Sequence, residues 1–110
     1  MTTTEKEDKT YNGWTNYETW NVALWIGNEQ GSQDFWQERA RQAYDAAQAD
    51  KYFTKAERAK LDLAEILKED LSENTPTVTG FYADLLNAAL SEVNHYEIVS
   101  HWIDEIEADT

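Results

Sequence analysis

Residues 15–26 read TNYETWNVALWI, and this stretch has the start signal and the apolar content of a buried α-helix. Thr15 and Glu18 stand three residues apart, as in a capping box, where each side chain bonds a free backbone amide at the helix start. Apolar residues then occupy one face and much of the remaining circumference. Because a helix that is apolar nearly all round must be covered by its neighbours, we predict the central helix of an α-helical core, ending near Gly27 and Asn28.

Two more helices are predicted in the middle of the chain. Ser32 can cap the first of them, whose apolar residues recur at helical spacing up to Ala47. Thr54 and Glu57 form a second capping box, and the helix that follows fades near Leu71. Both helices carry a single apolar stripe, which is typical of packing against one side of a bundle.

The C-terminal third contains two further helical patterns, after a loop around Pro76. The fourth helix is predicted over roughly residues 80–92, and Asn94 caps the fifth, with Glu97 three residues later. The apolar stripe of the fourth helix consists of Tyr82, Leu85, Leu86, Ala89, Leu90 and Val93. Since no segment alternates with the period of two that strands require, we predict an all-α, compact bundle of about five helices. It forms one domain over residues 14–110, and a flexible arm covers residues 1–13.

The charge of the chain is unevenly distributed. Its 110 residues hold 22 acids and 9 bases, for a net charge of −13. All of the bases lie within residues 1–68, where they nearly balance 12 acids, whereas residues 69–110 hold 10 acids and no base. The last part of the chain is therefore expected to present a negative field of a single sign.

Composition excludes several classes of function. A strongly acidic chain is repelled by nucleic acid, so direct binding of DNA or RNA is not expected. No apolar run approaches the ~20 residues of a membrane span, and the polar N-terminus shows no secretory signal, so we expect a cytoplasmic protein. The absence of cysteine removes thiolate nucleophiles, zinc–cysteine sites and disulfides, and it fits a reducing compartment.

The sequence contains no complete catalytic or metal-binding pattern. His95 and His101 are six residues apart and point to different sides of a helix, unlike the pair of a zinc helix. No Gly-x-Ser-x-Gly elbow and no calcium loop is present, and the four glycines are scattered. One Glu-x-x-His spacing occurs, from Glu92 to His95, but it straddles a predicted helix break and has no second copy, so the di-iron pattern is not supported. We therefore predict a non-enzymatic protein without cofactor or metal.

The five tryptophans could stack on bases or sugars, but helical spacing favours a packing role. Trp20, Trp25 and Trp102 fall on apolar stripes, so they are predicted to lie in the core. Trp14 precedes the first helix and is predicted to pack over the bundle. For Trp36, both roles stay open: packing in the core and stacking on a ligand.

Two stretches resemble a known group of sequences. Residues 11–26, YNGWTNYETWNVALWI, are similar to the opening of a small family of proteins from bacteria and their phages. Residues 84–98, DLLNAALSEVNHYEI, are similar to the C-terminal motif of that family. Because the family has no assigned activity, the resemblance implies no catalytic residue. It implies a setting: phages and mobile elements carry many small acidic proteins that block host nucleases, among them anti-restriction and anti-CRISPR DNA mimics.

The charge distribution and this resemblance together lead to a hypothesis of function. We expect an acidic protein in the host cytoplasm that blocks the basic, nucleic-acid-binding surface of a host defence complex. The residues expected to contact this partner are Asp84, Glu92, Glu97, Asp104 and Glu105, with Glu69, Asp70 and Glu73 as a flanking patch. Three alternatives stay open: an adaptor that acts through apolar and aromatic contacts, an acidic surface that serves only solubility or adaptation to salt, and an enzyme, which would show a deep pocket with convergent carboxylates of separated pKa.

Overall fold

The computed structural model describes residues 11–110, and within this range it contains five α-helices and no strand. The helices are α1 (Tyr17–Asn28), α2 (Gln30–Ala46), α3 (Lys55–Glu73), α4 (Phe81–Ser91) and α5 (His95–Ala108). The predicted all-α bundle is therefore confirmed. Most of the predicted arm, residues 1–10, lies outside the described residues. Its last three residues form a turn, closed by main-chain hydrogen bonds of 3.1 and 2.8 Å between Tyr11 and Trp14.

The centre of the bundle is α5. It packs most extensively against α3 and also contacts α2 and α1. Ile98, Val99 and Ile103 of α5 are almost fully buried, and they meet Leu63 and Leu67 of α3. Burying one such side chain contributes about 1.5–3 kcal/mol to folding, so the α3–α5 contact dominates the hydrophobic stabilisation.

The prediction that the first helix is central was wrong. Thr19 is the one buried residue of α1, whereas Tyr17, Leu24 and Trp25 are exposed. α1 lies on the flank of the bundle, where α2 and α5 pack against it. Two neighbours on one side cannot cover a helix that is apolar nearly all round, and α5, with neighbours on several sides, takes the centre instead.

The prediction for the tryptophans was also partly wrong. Trp25 is 69% exposed, while Trp20 and Trp102 are half-buried. Trp36, which the sequence left open, is buried and stacks on Trp102 with ring centroids 5.8 Å apart. Trp14 packs over the bundle against His101, with ring centroids 4.5 Å apart.

Two of the predicted helix caps are confirmed. Thr54 and Glu57 form a complete capping box at the start of α3. The Thr54 hydroxyl accepts from the Glu57 amide at 3.1 Å, and the Glu57 carboxylate accepts from the Thr54 amide at 2.8 Å. At the start of α5, the Asn94 side chain accepts from the Glu97 amide at 3.0 Å.

The caps predicted for the first two helices were wrong by one residue and by three. Asn16, not Thr15, caps α1, and its side chain accepts from the Thr19 amide at 2.9 Å. Glu29, not Ser32, caps α2, because α2 begins directly after α1 and Ser32 already lies in its first turn. The Glu29 carboxylate accepts from the Ser32 amide at 2.8 Å.

The N-terminal and C-terminal segments are joined by side-chain to backbone hydrogen bonds. The fully buried Thr19 hydroxyl accepts from the Asn94 amide at 2.9 Å. Asn16 donates to the main-chain oxygen of Glu92 at 2.7 Å, and the Glu97 carboxylate accepts from the Thr15 amide at 3.2 Å. Residues 11–26 and residues 84–98, the two stretches singled out in the sequence, therefore meet in space and orient α1 on α5.

The packing predicted for the fourth helix was wrong except at Val93, which lies just beyond the helix and is buried. No residue of α4 is buried, and α4 alone among the described helices lacks close packing against another helix. Tyr82 and Leu85, predicted for the core, are exposed. α4 begins at Gly80 with φ +69° and ψ −146°, a conformation that is essentially restricted to glycine, and no side chain caps it.

Candidate interaction surfaces

The bases of the described residues are confined to one part of the chain. The seven bases between residues 11 and 110 all lie from Arg39 to Lys68, on α2, on α3 and in the loop between them. Some of them are engaged within the bundle: Arg58 pairs with Asp50 at 3.5 Å, and Lys55 donates to the main-chain oxygen of Ala47 at 2.9 Å. The described residues that follow Lys68 in the chain include acids but no lysine or arginine.

Six of the eight predicted acids belong to one end of the molecule, which we call the acidic end (residues 69–98). The end of α3, α4 and the start of α5 meet here around a cavity of about 270 Å³, lined by Lys68, Leu71, Leu90 and His95 among others. The six acids are Glu69, Asp70, Glu73, Asp84, Glu92 and Glu97. Lys68, which borders this end, is the nearest base along the chain.

The acids of this end differ in whether their side chains already make hydrogen bonds or ion pairs within the described fold. The carboxylate of Glu97 bonds the Thr15 amide, so it helps to hold α1 in place. Glu69, Glu73, Asp84 and Glu92 have exposed side chains that make no hydrogen bond or ion pair with the described part of the chain. These four side chains are free to meet a partner.

Asp104 and Glu105 lie farther along α5, away from the acidic end. Asp104 forms an ion pair with Lys60 of α3, with 2.9 Å between the carboxylate oxygen and Nζ. Glu105 faces the other side of α5, where it lines a cavity with Arg41 of α2. The structure thus separates these two acids from the other six and places each beside a base.

An exposed apolar surface, which we call the α4 face, lies within the acidic end. It consists of Phe81, Tyr82 and Leu85, which are 62%, 64% and 60% exposed. The rings of Phe81 and Tyr82 pack on each other with centroids 4.2 Å apart. Sequence reasoning placed two of these residues in the core. A signal was nonetheless present, because the apolar residues of this helix cover a wider arc than one neighbouring helix can bury.

A second aromatic surface lies on α1. The rings of Tyr11, Tyr17 and Trp20 form a cluster with centroids 4.9–5.6 Å apart. Edge-to-face and tilted contacts of this kind stabilise a cluster by about 0.5–1.5 kcal/mol per pair. The three rings fill the space among themselves, so the cluster holds the N-terminal turn against α1.

A groove runs between α1, α2 and α5, and it contains two adjacent cavities of about 190 and 170 Å³. Both are lined by Gln37, Trp102 and Glu105, and Trp14 and His101 line the smaller one. The sequence pointed to Glu105 here and missed the rest of the groove. Its polar members come from helices that are distant in sequence, so no spacing pattern could reveal them.

The histidine at the acidic end is held in an environment that opposes its charge. Burial lowers the pKa of His95, the nearby Lys68 lowers it further, and Glu65 acts in the opposite direction. The neutral imidazole is therefore favoured, and His95 adds no positive charge to the acidic end at neutral pH.

Metal-binding clusters and membrane-spanning helices are absent from residues 11–110. No three histidine, aspartate or glutamate side chains in this range gather closely enough to hold a metal ion. No helix in the same range combines the length and the hydrophobicity needed to cross a membrane. What the described surface offers is charge, exposed apolar side chains and a groove.

The chain was compared with known proteins and families. Neither the curated proteins nor the solved structures include a significant match. A family model does match, over residues 7–109, and this range contains both stretches that meet at Thr19 and Asn94. The chain therefore belongs to the family of unknown function DUF7249.

Proposed function

We propose that this chain is a non-enzymatic, acidic binding protein that occupies the basic, nucleic-acid-binding surface of another protein. The most specific form of the proposal is an inhibitor of a host defence complex, acting as a DNA mimic in the manner of anti-CRISPR or anti-restriction proteins. One observation carries it: residues 69–98 bring six acids and no base to one end of the molecule. Such a surface attracts a Lys- and Arg-lined channel over long distances.

The local geometry supports this use of the acidic end. Four of its acids are exposed and make no bond with the described part of the chain, so binding a cation would break no contact within residues 11–110. The described bases lie between Arg39 and Lys68; Lys68 borders the acidic end, and several of the others are engaged in ion pairs or hydrogen bonds. A surface that served only solubility would need no such separation of acids from bases.

The first test is capture from a bacterial lysate. The immobilised chain should retain a basic protein from nuclease-treated lysate at low salt, and duplex DNA or higher salt should release it. The purified partner should then lose its bound DNA when the chain is added. Retention that neither salt nor duplex DNA affects would contradict the proposal.

Charge reversal identifies the surface. The pair Asp84→Lys and Glu92→Lys should abolish retention, because it places cations opposite cations. The pair Asp45→Lys and Asp62→Lys makes the same change of net charge on exposed positions of α2 and α3, and it should leave most of the retention. Equal losses in the two pairs would show that net charge alone, and not the acidic end, is responsible.

A second function is favoured by the α4 face. Three large apolar side chains with exposures of 60% or more are typical of a contact surface, and they support the adaptor that acts through apolar and aromatic contacts. In that case, Phe81→Ala with Leu85→Ala should abolish binding, and the affinity should change little with salt. The DNA mimic predicts the opposite: an affinity that falls steeply with salt and a smaller loss of binding in Phe81→Ala with Leu85→Ala.

A further inference from the structure

The groove between α1, α2 and α5 contains polar side chains that the described part of the fold does not use. Gln33, Gln37 and Glu105 line its smaller cavity, of about 170 Å³, and their side chains make no hydrogen bond or ion pair with residues 11–110. These three groups come from two helices and converge on one cavity. A cavity with a few convergent polar groups is the usual form of a ligand site.

The charge of this cavity favours a cation. Among the described residues that line it, Glu105 is the only acid and there is no lysine or arginine; Arg41 lines the adjoining larger cavity instead. The amide oxygens of both glutamines can accept hydrogen bonds. The preferred ligand is therefore a group that carries a positive charge and several N–H donors.

Two indole rings add a second, independent preference. Trp14 and Trp102 both line the cavity. Trp102 is held in place by stacking on the buried Trp36, and Trp14 is held against His101. Tryptophan is the aromatic side chain that attracts cations most strongly, and a planar guanidinium can also stack on it. Carboxylate and indole together select a guanidinium over a plain ammonium.

The cavity has the size for such a group. An apolar cavity of about 150 Å³ holds benzene, which has six heavy atoms. The arginine side chain from Cγ outward also has six heavy atoms. The 170 Å³ cavity can therefore take the guanidinium and the end of its stem.

We propose that this groove binds an arginine side chain, with Glu105 as the carboxylate partner and Trp14 and Trp102 as the aromatic walls. In the complex, the arginine comes from the basic partner, so this inference rests on the proposed function. Glu105 then has a role distinct from that of the acidic end. Glu105 anchors one arginine of the partner, while the six acids of the acidic end attract the partner's whole basic surface.

The test uses the isolated chain and a small probe. N-acetyl-arginine amide is titrated at constant ionic strength while the indole N–H signals of Trp14 and Trp102 are followed by NMR. We expect saturable shifts of these two signals at millimolar probe concentrations, since one side chain supplies few contacts. The uncharged isostere N-acetyl-citrulline amide should bind at least tenfold more weakly, because the bond to the carboxylate loses its charge.

A pair of variants distinguishes binding of arginine at a defined site from its general electrostatic attraction to an acidic protein. Glu105→Gln should weaken arginine binding at least tenfold, and Glu92→Gln, which removes the same charge from the acidic end, should not. Glu105 is exposed, so its replacement leaves the core intact. Absence of saturation, equal binding of the citrulline probe, or equal losses in both variants would each overturn the inference.

The same data distinguish this inference from the proposed function. Arginine binding that depends on Glu105 would support the groove even if the chain captured no basic protein. Capture of such a protein with no arginine binding would overturn the groove and leave the proposed function standing.

Discussion

α4 and α5 are the two helices of the base-free segment, and they serve opposite purposes. Both show helical spacing of apolar residues. α5 buries Ile98, Val99, Ile103 and Ile106, whereas no residue of α4 is buried. An apolar stripe therefore determines which residues can be buried, and the number of neighbouring helices determines which of them are buried. α5 stabilises the bundle, and α4 offers its apolar side chains to the surface.

The largest expected effect comes from truncating one apolar side chain in each helix. Ile103→Ala in α5 removes a fully buried side chain and should lower the free energy of unfolding by about 2–5 kcal/mol. Leu85→Ala in α4 removes a side chain that is 60% exposed and should cost about 0.5 kcal/mol or less. Urea unfolding followed by circular dichroism measures both. Similar losses would mean that the two helices contribute equally to the core.

The next effect concerns the hydrogen bond that fixes the start of α5. Thr19→Val keeps the shape of the side chain and leaves the Asn94 amide without its acceptor, which should cost about 1–3 kcal/mol of stability. Thr15→Val removes an exposed hydroxyl that makes no bond with the described residues, so it is the matched control. A Thr19→Val protein as stable as the control would show that the buried bond is not needed to join α1 to α5.

The smallest effect is a pH dependence at the contact between α4 and α5. The folded state lowers the pKa of His95, so below the ordinary value of 6.5 the unfolded chain binds more protons than the folded one. Stability should therefore be complete above that value and should fall as the pH drops through it. His95→Gln should flatten this part of the curve of unfolding free energy against pH. Ser91→Ala, which lines the same cavity without a titrating group, should keep the wild-type slope.

Local signals in the sequence predicted the helices well. Five helices were expected and five lie within residues 11–110, and the caps at Thr54 and Asn94 act as predicted. Such signals succeed because capping and amphipathic spacing depend on residues within one or two turns of each other. The caps of α1 and α2 were missed because the tight connection between these helices shifts both boundaries, and several polar residues compete for the same position.

The candidate surfaces were predictable only in part. The separation of acids from bases can be read from the sequence, and it places six of the eight predicted acids in residues 69–98. The ion pair between Asp104 and Lys60 and the groove around Glu105 could not be anticipated. Both join α5 to residues of other helices, and contacts of this kind leave no regular spacing in one sequence.

By itself, the sequence determined the helical class of this protein, most of its helix positions and the sign of charge along the chain, because each depends on residue types and short-range spacing. Only the tertiary structure decided that α5 and not α1 is central, that the α4 face is exposed, and that Glu105 meets Trp14 and Trp102 in a groove. The physical reason is competition: a bundle of this size has room at its centre for one helix, and the apolar surface that does not fit there remains available for binding.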